Sequence, residues 1–225
     1  MLDRFAELFP PALIHLFVTS FWETLVMVGI SGVVAALIGI PLGVLLRLTD
    51  RGGVLESLAF NRIAGLLVNA VRSTPFIILL VAIIPFTRMI TGSSIGTAAA
   101  VVPLTIAAAP FIARLVETSL REVDAGLIEA AQAMGATTPQ IVFKVLLPEA
   151  VPGIVAGLTI TLVSLTGYSA MAGAIGGGGL GDLGIRYGYQ RFLPEVMIAV
   201  VLVLIVFVQA VQSLGDWLVR RLSHK

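Results

Sequence analysis

Four groups of residues have types and spacings that chemistry could use. Gly176, Gly178 and Gly181 fit G-x-G-x-x-G, which cradles a dinucleotide when a strand precedes it and a helix follows. Arg72 is the one charge inside an otherwise apolar run. A cation there marks either a site or a side chain reaching for the interface. Glu129, Ala130, Ala131, Ala133, Met134 and Gly135 form an alanine-rich helical pattern with a stop, a shape suited to docking rather than to bond chemistry. Tyr168, Ser169 and Met171 stand late in an apolar run, and a flexible thioether can close a narrow opening reversibly.

Other chemistry is excluded by composition. The chain has no cysteine, hence no disulfide, thiolate metal site or thiol nucleophile. His15 and His224 are the only histidines, so neither a histidine-rich metal site nor an H-E-x-x-H pair is expected. No Gly-Lys dipeptide occurs, so a phosphate loop for ATP is absent too.

The elements that must position these residues follow from hydropathy. Of 225 residues, 58% are hydrophobic and 12% charged, with mean hydropathy +1.04. That is about half the charge of a soluble domain, too little to cover a water-facing surface. The net charge of +1 gives no reason to expect a nucleic-acid partner. Charge-free runs cover 24–46, 89–113, 150–181 and 196–215, and 63–87 is interrupted only by Arg72. About 20 apolar residues cross a bilayer core. The expectation is an all-α membrane protein forming one domain over 1–225, with five transmembrane helices near 24–46, 63–87, 89–113, 150–172 and 196–215. Residues 1–17 lack a basic n-region and a cleavage site, so they read as an amphipathic lead-in or a disordered tail, not a signal peptide.

Positive charge sets the direction. With the C-terminus inside, the cytoplasmic segments hold Arg47, Arg51, Arg62, Arg114, Arg121, Lys144, Arg220, Arg221 and Lys225, against Arg4, Arg88, Arg186 and Arg191 outside. Nine against four favours N-out, C-in. The segment 115–149 is then cytoplasmic and the glycine pattern external, behind a transmembrane helix, where it reads as a turn and not a nucleotide site. All 13 acids lie outside the charge-free runs or at their ends. An ion-coupled carrier usually needs one within, and a membrane scaffold would transport nothing.

Within the cytoplasmic segment, 125–134 is a helix with Gly135 as its left-handed stop. Thr138 is expected to cap the next helix, with Pro139 as its first residue. Ala130, Ala133 and Met134 share one face, with Glu129 at its rim. Docking on a partner and simple connection are both open to such a helix.

Glu129-Ala130-Ala131, Gly135, Val145, Leu147 and Pro148 resemble the E-A-A-x-x-x-G loop signature of permease subunits in bacterial ATP-binding-cassette importers. Val145 stands where the family more often has Ile. Arg72-Ser73-Thr74-Pro75 is similar to a segment of amino-acid permeases in that class. Residues 61–92, 97–153 and 164–189, including "VRSTPFIILLVAIIPFTR" and "GYSAMAGAIGGGGLG", look like the methionine importer permeases. The resemblance implies the type I importer fold, with a coupling helix between spans three and four. It also implies a homodimer in the bacterial cytoplasmic (inner) membrane, two ATPase subunits and an external substrate-binding lipoprotein. ATP and Mg would sit on the ATPase, with no cofactor, catalytic residue or metal on this chain. The substrate would be D- or L-methionine, or otherwise another amino acid or a small peptide.

On that reading Met171 of both copies helps form an outer gate, against the alternative of bundle packing. Arg72 either marks a break in the second helix, with Ser73 or Thr74 capping a new one, or snorkels inward. Gly157, Ser164 and Gly167 allow close helix packing, and segments 88–95 and 182–193 face the binding protein.

Overall fold

The computed structural model describes residues 10–223. Among them every regular element is helical. The order is α1 (Pro11–Thr49), α2 (Leu58–Ser73), α3 (Phe76–Ala82), α4 (Ile84–Thr91), α5 (Thr97–Arg121) and α6 (Ala125–Ala133). Then come α7 (Thr138–Ile141), a wide turn Val142–Leu146, α8 (Leu147–Ala172), a second wide turn Gly173–Gly177, α9 (Gly179–Leu183) with a further wide turn Gly184–Tyr189, and α10 (Pro194–Leu222). Four stretches are long and apolar enough to cross a bilayer: α1, α5, Thr138–Gly177 and α10. The bent pair α2–α3 makes a fifth if it counts as one span.

Helix ends differ from the charge-free runs. α1 starts at Pro11, so Glu23 lies well inside it, not at its edge. One carboxylate does not stop a helix of good formers, and hydropathy marks charge rather than helix ends. Residues 11–17 of the expected lead-in belong to this helix; residues 1–9 lie outside the described ones. α5 spans 97–121 rather than 89–113. Gly92 and Gly96, at φ +75° and +98°, end α4 and shape the turn before α5, angles that favour glycine.

The run 63–87 is not a straight rod. The chain breaks at Thr74 and Pro75, between α2 and α3. Pro75 lacks an N–H and forces Thr74 into extended backbone (ψ 124°). The cap expected from Ser73 or Thr74 is absent: their hydroxyls donate back to the Asn69 and Ala70 carbonyls at 2.8 and 3.0 Å.

Two compact units are present. One contains the described residues up to Gly32, Pro75–Thr105 and Leu162–Val211. Its core groups Leu180, Leu183, Val196 and Val200, with Phe17 and Phe21 against them. The other contains Val33–Thr74, Ile106–Thr161 and the described residues from Gln212. There Gly39 and Gly43, four apart on α1, face α5 so closely that a Cβ would sit 2.6 Å from the Ala109 oxygen and 2.5 Å from the Ala113 oxygen. This is the small-residue contact that lets membrane helices meet. Gly157 likewise abuts the Leu115 Cβ at 3.0 Å, whereas Gly167, expected to serve packing, has nothing within 4 Å.

Gly43→Ala should therefore lower the unfolding free energy by about 1–3 kcal/mol through overpacking. Thermal unfolding in detergent measures it. Gly167→Ala is the control and should change little.

Candidate coupling and gate sites

The α6 helix is defined at both ends by its own sequence. Asp124 caps it, its Oδ1 accepting the Gly126 N–H at 2.6 Å. At the other end Gly135 takes φ +77°. The Gly135 N–H donates to Gln132 O at 2.9 Å and the Ala136 N–H to Ala131 O at 3.0 Å, the paired bonds of a Schellman stop. The next helix is capped by Thr137, one residue earlier than expected. Gln140 Oε1 accepts the Thr137 N–H at 2.8 Å and completes a capping box, with Pro139 second in the helix. The signal was in the sequence: only Thr137 has a Gln three residues on.

Ala131 is buried at 5% exposure, while Glu129, Ala130, Ala133 and Gly135 are exposed and Met134 is 82% exposed. The face Ala130–Ala133–Met134 thus stands free of the chain's own packing. Glu129 lines a cavity of about 170 Å³ together with Arg47, Gly52, Val54, Ile128 and Gln132.

Close to the start of α6 lies a charge network that sequence reasoning missed. Glu117, 2% exposed, accepts from Arg114 Nη1 on Oε2 and from Arg121 Nη2 on Oε1, both at 2.6 Å. Arg121 Nη2 also reaches Asp50 Oδ2 at 2.8 Å. Arg114 Nη2 donates to Asn69 Oδ1 at 2.9 Å. Charges at i, i+3 and i+4 were the available signal, but Asp50 and Asn69 join only through the fold.

The gate candidates are placed differently from one another. Tyr168 stacks on Phe76, with ring centroids 4.6 Å apart and 11° between planes. Ser169 is buried and spends its hydroxyl on the Thr166 carbonyl at 2.8 Å. Met171 is half-exposed. Arg72, in the other unit, is exposed with its guanidinium 5.8 Å from the Phe111 ring centre. Among the described residues, no three potential metal ligands gather.

The glycine pattern is a tightly folded turn. Gly176, Gly178 and Gly179 have φ of +91°, +82° and +78°, and any Cβ on Gly181 would collide with the Ala170 carbonyl. Two side chains of α1 hold the turn. Glu23 Oε2 accepts the Gly179 N–H at 2.7 Å and Thr24 Oγ1 accepts the Leu180 N–H at 2.9 Å. Neither was singled out from sequence, since a capping partner 156 residues away leaves no local pattern.

The family of binding-protein-dependent transport system inner membrane components matches residues 39–224. The chain belongs to that family. This membrane component is 58% identical to the probable D-methionine transport system permease protein MetI of Vibrio cholerae over 210 residues, 93% of each chain. It is 58% identical to the D-methionine transport system permease protein MetI of Escherichia coli over 158 residues, 70% of this chain and 73% of that one. In three dimensions it matches a chain of the inward-facing MetNI methionine ABC transporter with a TM-score of 0.94 at 52% identity, covering 95% of this chain and 99% of that one. A chain of an amino acid ABC transporter crystallised with histidines shares the fold, with a TM-score of 0.76 at 22% identity, covering 92% and 94%.

For this family member, Glu23→Ala should loosen the glycine turn by about 1 kcal/mol, the ordinary value of a helix cap. Amide exchange at 179–180 should rise about fivefold, while the amides of α10 stay protected.

Proposed function

We propose that the chain is the permease subunit of an ATP-driven importer that carries methionine, as the D-enantiomer, the L-enantiomer or both, across the cytoplasmic membrane. The observation that carries this reading is the match to the MetNI methionine ABC transporter over nearly the whole of both chains. The 58% identity to a D-methionine permease across 93% of the chain supports it.

The mechanism follows from the sites described. Two copies surround one pathway about a twofold axis, each a single transmembrane domain with N-out, C-in orientation. Two ATPase subunits hold ATP and Mg, and an external binding lipoprotein delivers substrate. Each α6 seats its Ala130–Ala133–Met134 face in a groove of one ATPase subunit, with Glu129 and Gly135 flanking. ATP closes the ATPase pair and moves both helices. The motion passes to the flanking helices as rigid-body rocking, and the pathway opens outward. Met171 from both copies narrows the outer end, with Tyr168 and Ser169 setting the shape of its helix. Arg72 stands beside the break at Pro75 and gives the pathway a positive charge suited to a carboxylate. The exposed Tyr189 and Phe192 face the binding protein. This subunit couples and conducts; it does not hydrolyse ATP.

The test is reconstitution of the complex with its binding protein. Methionine should stimulate ATP hydrolysis and enter vesicles; stimulation by another amino acid or a small peptide but not by methionine would overturn the substrate assignment. Glu129→Arg should lose the ATPase subunits during purification while the membrane subunit still melts normally, and assembly at wild-type yield would refute the docking role. For Met171→Ala the expected change is substrate leak or raised ATPase activity without substrate, with unchanged coupling as the contrary result.

A further inference from the structure

Glu117 stands in the last turns of α5, where the helix dipole disfavours a negative charge. It is also buried, and a buried carboxylate is costly unless fully paired. The chain meets this cost with two arginines, one on each carboxylate oxygen. Both arginines lie on α5 itself, at i−3 and i+4, and support that helix locally. What the network also achieves is connection. Through Arg121 it reaches Asp50 in the turn after α1, and through Arg114 it reaches Asn69 on α2. Only residues 122–124 separate Arg121 from α6.

Resting on the proposed importer reading, we infer that Glu117 is a positioning residue. With Arg121 and Asp50 it clamps the base of the coupling segment to the α1–α2 turn, so that displacement of α6 is carried into α1 and α2 as well as along α5. The turn is itself stiff. Asn61 Nδ2 donates to the Leu46 carbonyl at 2.7 Å, the Gly52 N–H donates to Glu56 Oε2 at 2.9 Å, and the Leu55 and Ser57 N–H groups donate to Leu48 and Thr49 oxygens at 3.0 Å each. A push delivered at Asp50 therefore moves helices, not a slack loop.

Asp50→Asn tests the clamp with little risk to folding, because Asp50 is partly exposed and Glu117 keeps both arginines. In the reconstituted complex the ATPase subunits should remain bound and ATP hydrolysis should continue. Methionine moved per ATP should fall by about fivefold or more, the lower range of ordinary inter-site coupling. Asp50→Glu should restore it. Glu117→Gln should lower the same ratio, in the fraction that assembles. An unchanged ratio in Asp50→Asn overturns the inference, as does loss of transport and hydrolysis in equal proportion. If instead the wild-type complex shows no methionine-dependent hydrolysis, the importer reading fails and not the clamp.

Discussion

A charge carried into an apolar bundle must be answered within that bundle, and the described structure is organised around three such answers. A charge taken out of water is costly unless a neighbouring group answers it. Glu117 is answered by two arginines at 2.6 Å. Glu23 is answered by a backbone N–H of the glycine turn at 2.7 Å, on the positive end of a helix. Arg72 lies over the face of Phe111, whose ring quadrupole attracts cations. Glu23 and Arg72 each meet a second element directly, and the Glu117 arginines reach Asp50 and Asn69 on others, so the few charges specify relations that uniform apolar surfaces leave loose. Low charge content makes each remaining charge more informative.

Close backbone approach supplies the rest of the cohesion. Lipid is as apolar as leucine, so helices gain little by merely hiding apolar side chains from it. They gain by contact. Gly39 and Gly43 bring α1 onto α5, and Gly153 and Gly157 bring α8 onto Ser119 and Leu115 of the same helix. α5 is thereby gripped from two sides, and it also carries Glu117. That helix runs to within three residues of α6.

Much of this was legible in the sequence. Charge-free runs pointed to an all-helical chain with four or five apolar stretches long enough to cross a bilayer, and the alanine-rich helix with its Gly135 stop is readable because capping acts within four or five residues. The loop signature pointed to the family from seven positions. Helix ends were less legible: α1 and α5 extend past the charge boundaries because propensity, not hydropathy, ends a helix. Glu23, Asp50 and Asn69 could not be read at all. Their partners lie 45 to 156 residues away or across a turn, and single-sequence patterns reach no further than a helical turn or two. The cap falls on Thr137 rather than Thr138, because Pro139 also fits the second position of a helix.

The local order of α6 bears on the role proposed for it. A nine-residue helix is marginal by itself. Here an Asp cap, a Schellman stop, a capping box and the burial of Ala131 hold it in place. A preformed helix loses less conformational freedom on docking than one that must fold there, so more of the contact energy remains for association. On the proposed importer reading it also serves as a lever. A segment that melted under load would absorb the motion of the ATPase, whereas one pinned at both ends, and followed within a few residues by helices, transmits it. On the proposed importer reading, stiffness in α6 and fixation of Arg121 are two parts of one requirement: force entering at the exposed alanine face has to leave through the long helices without being spent on local rearrangement.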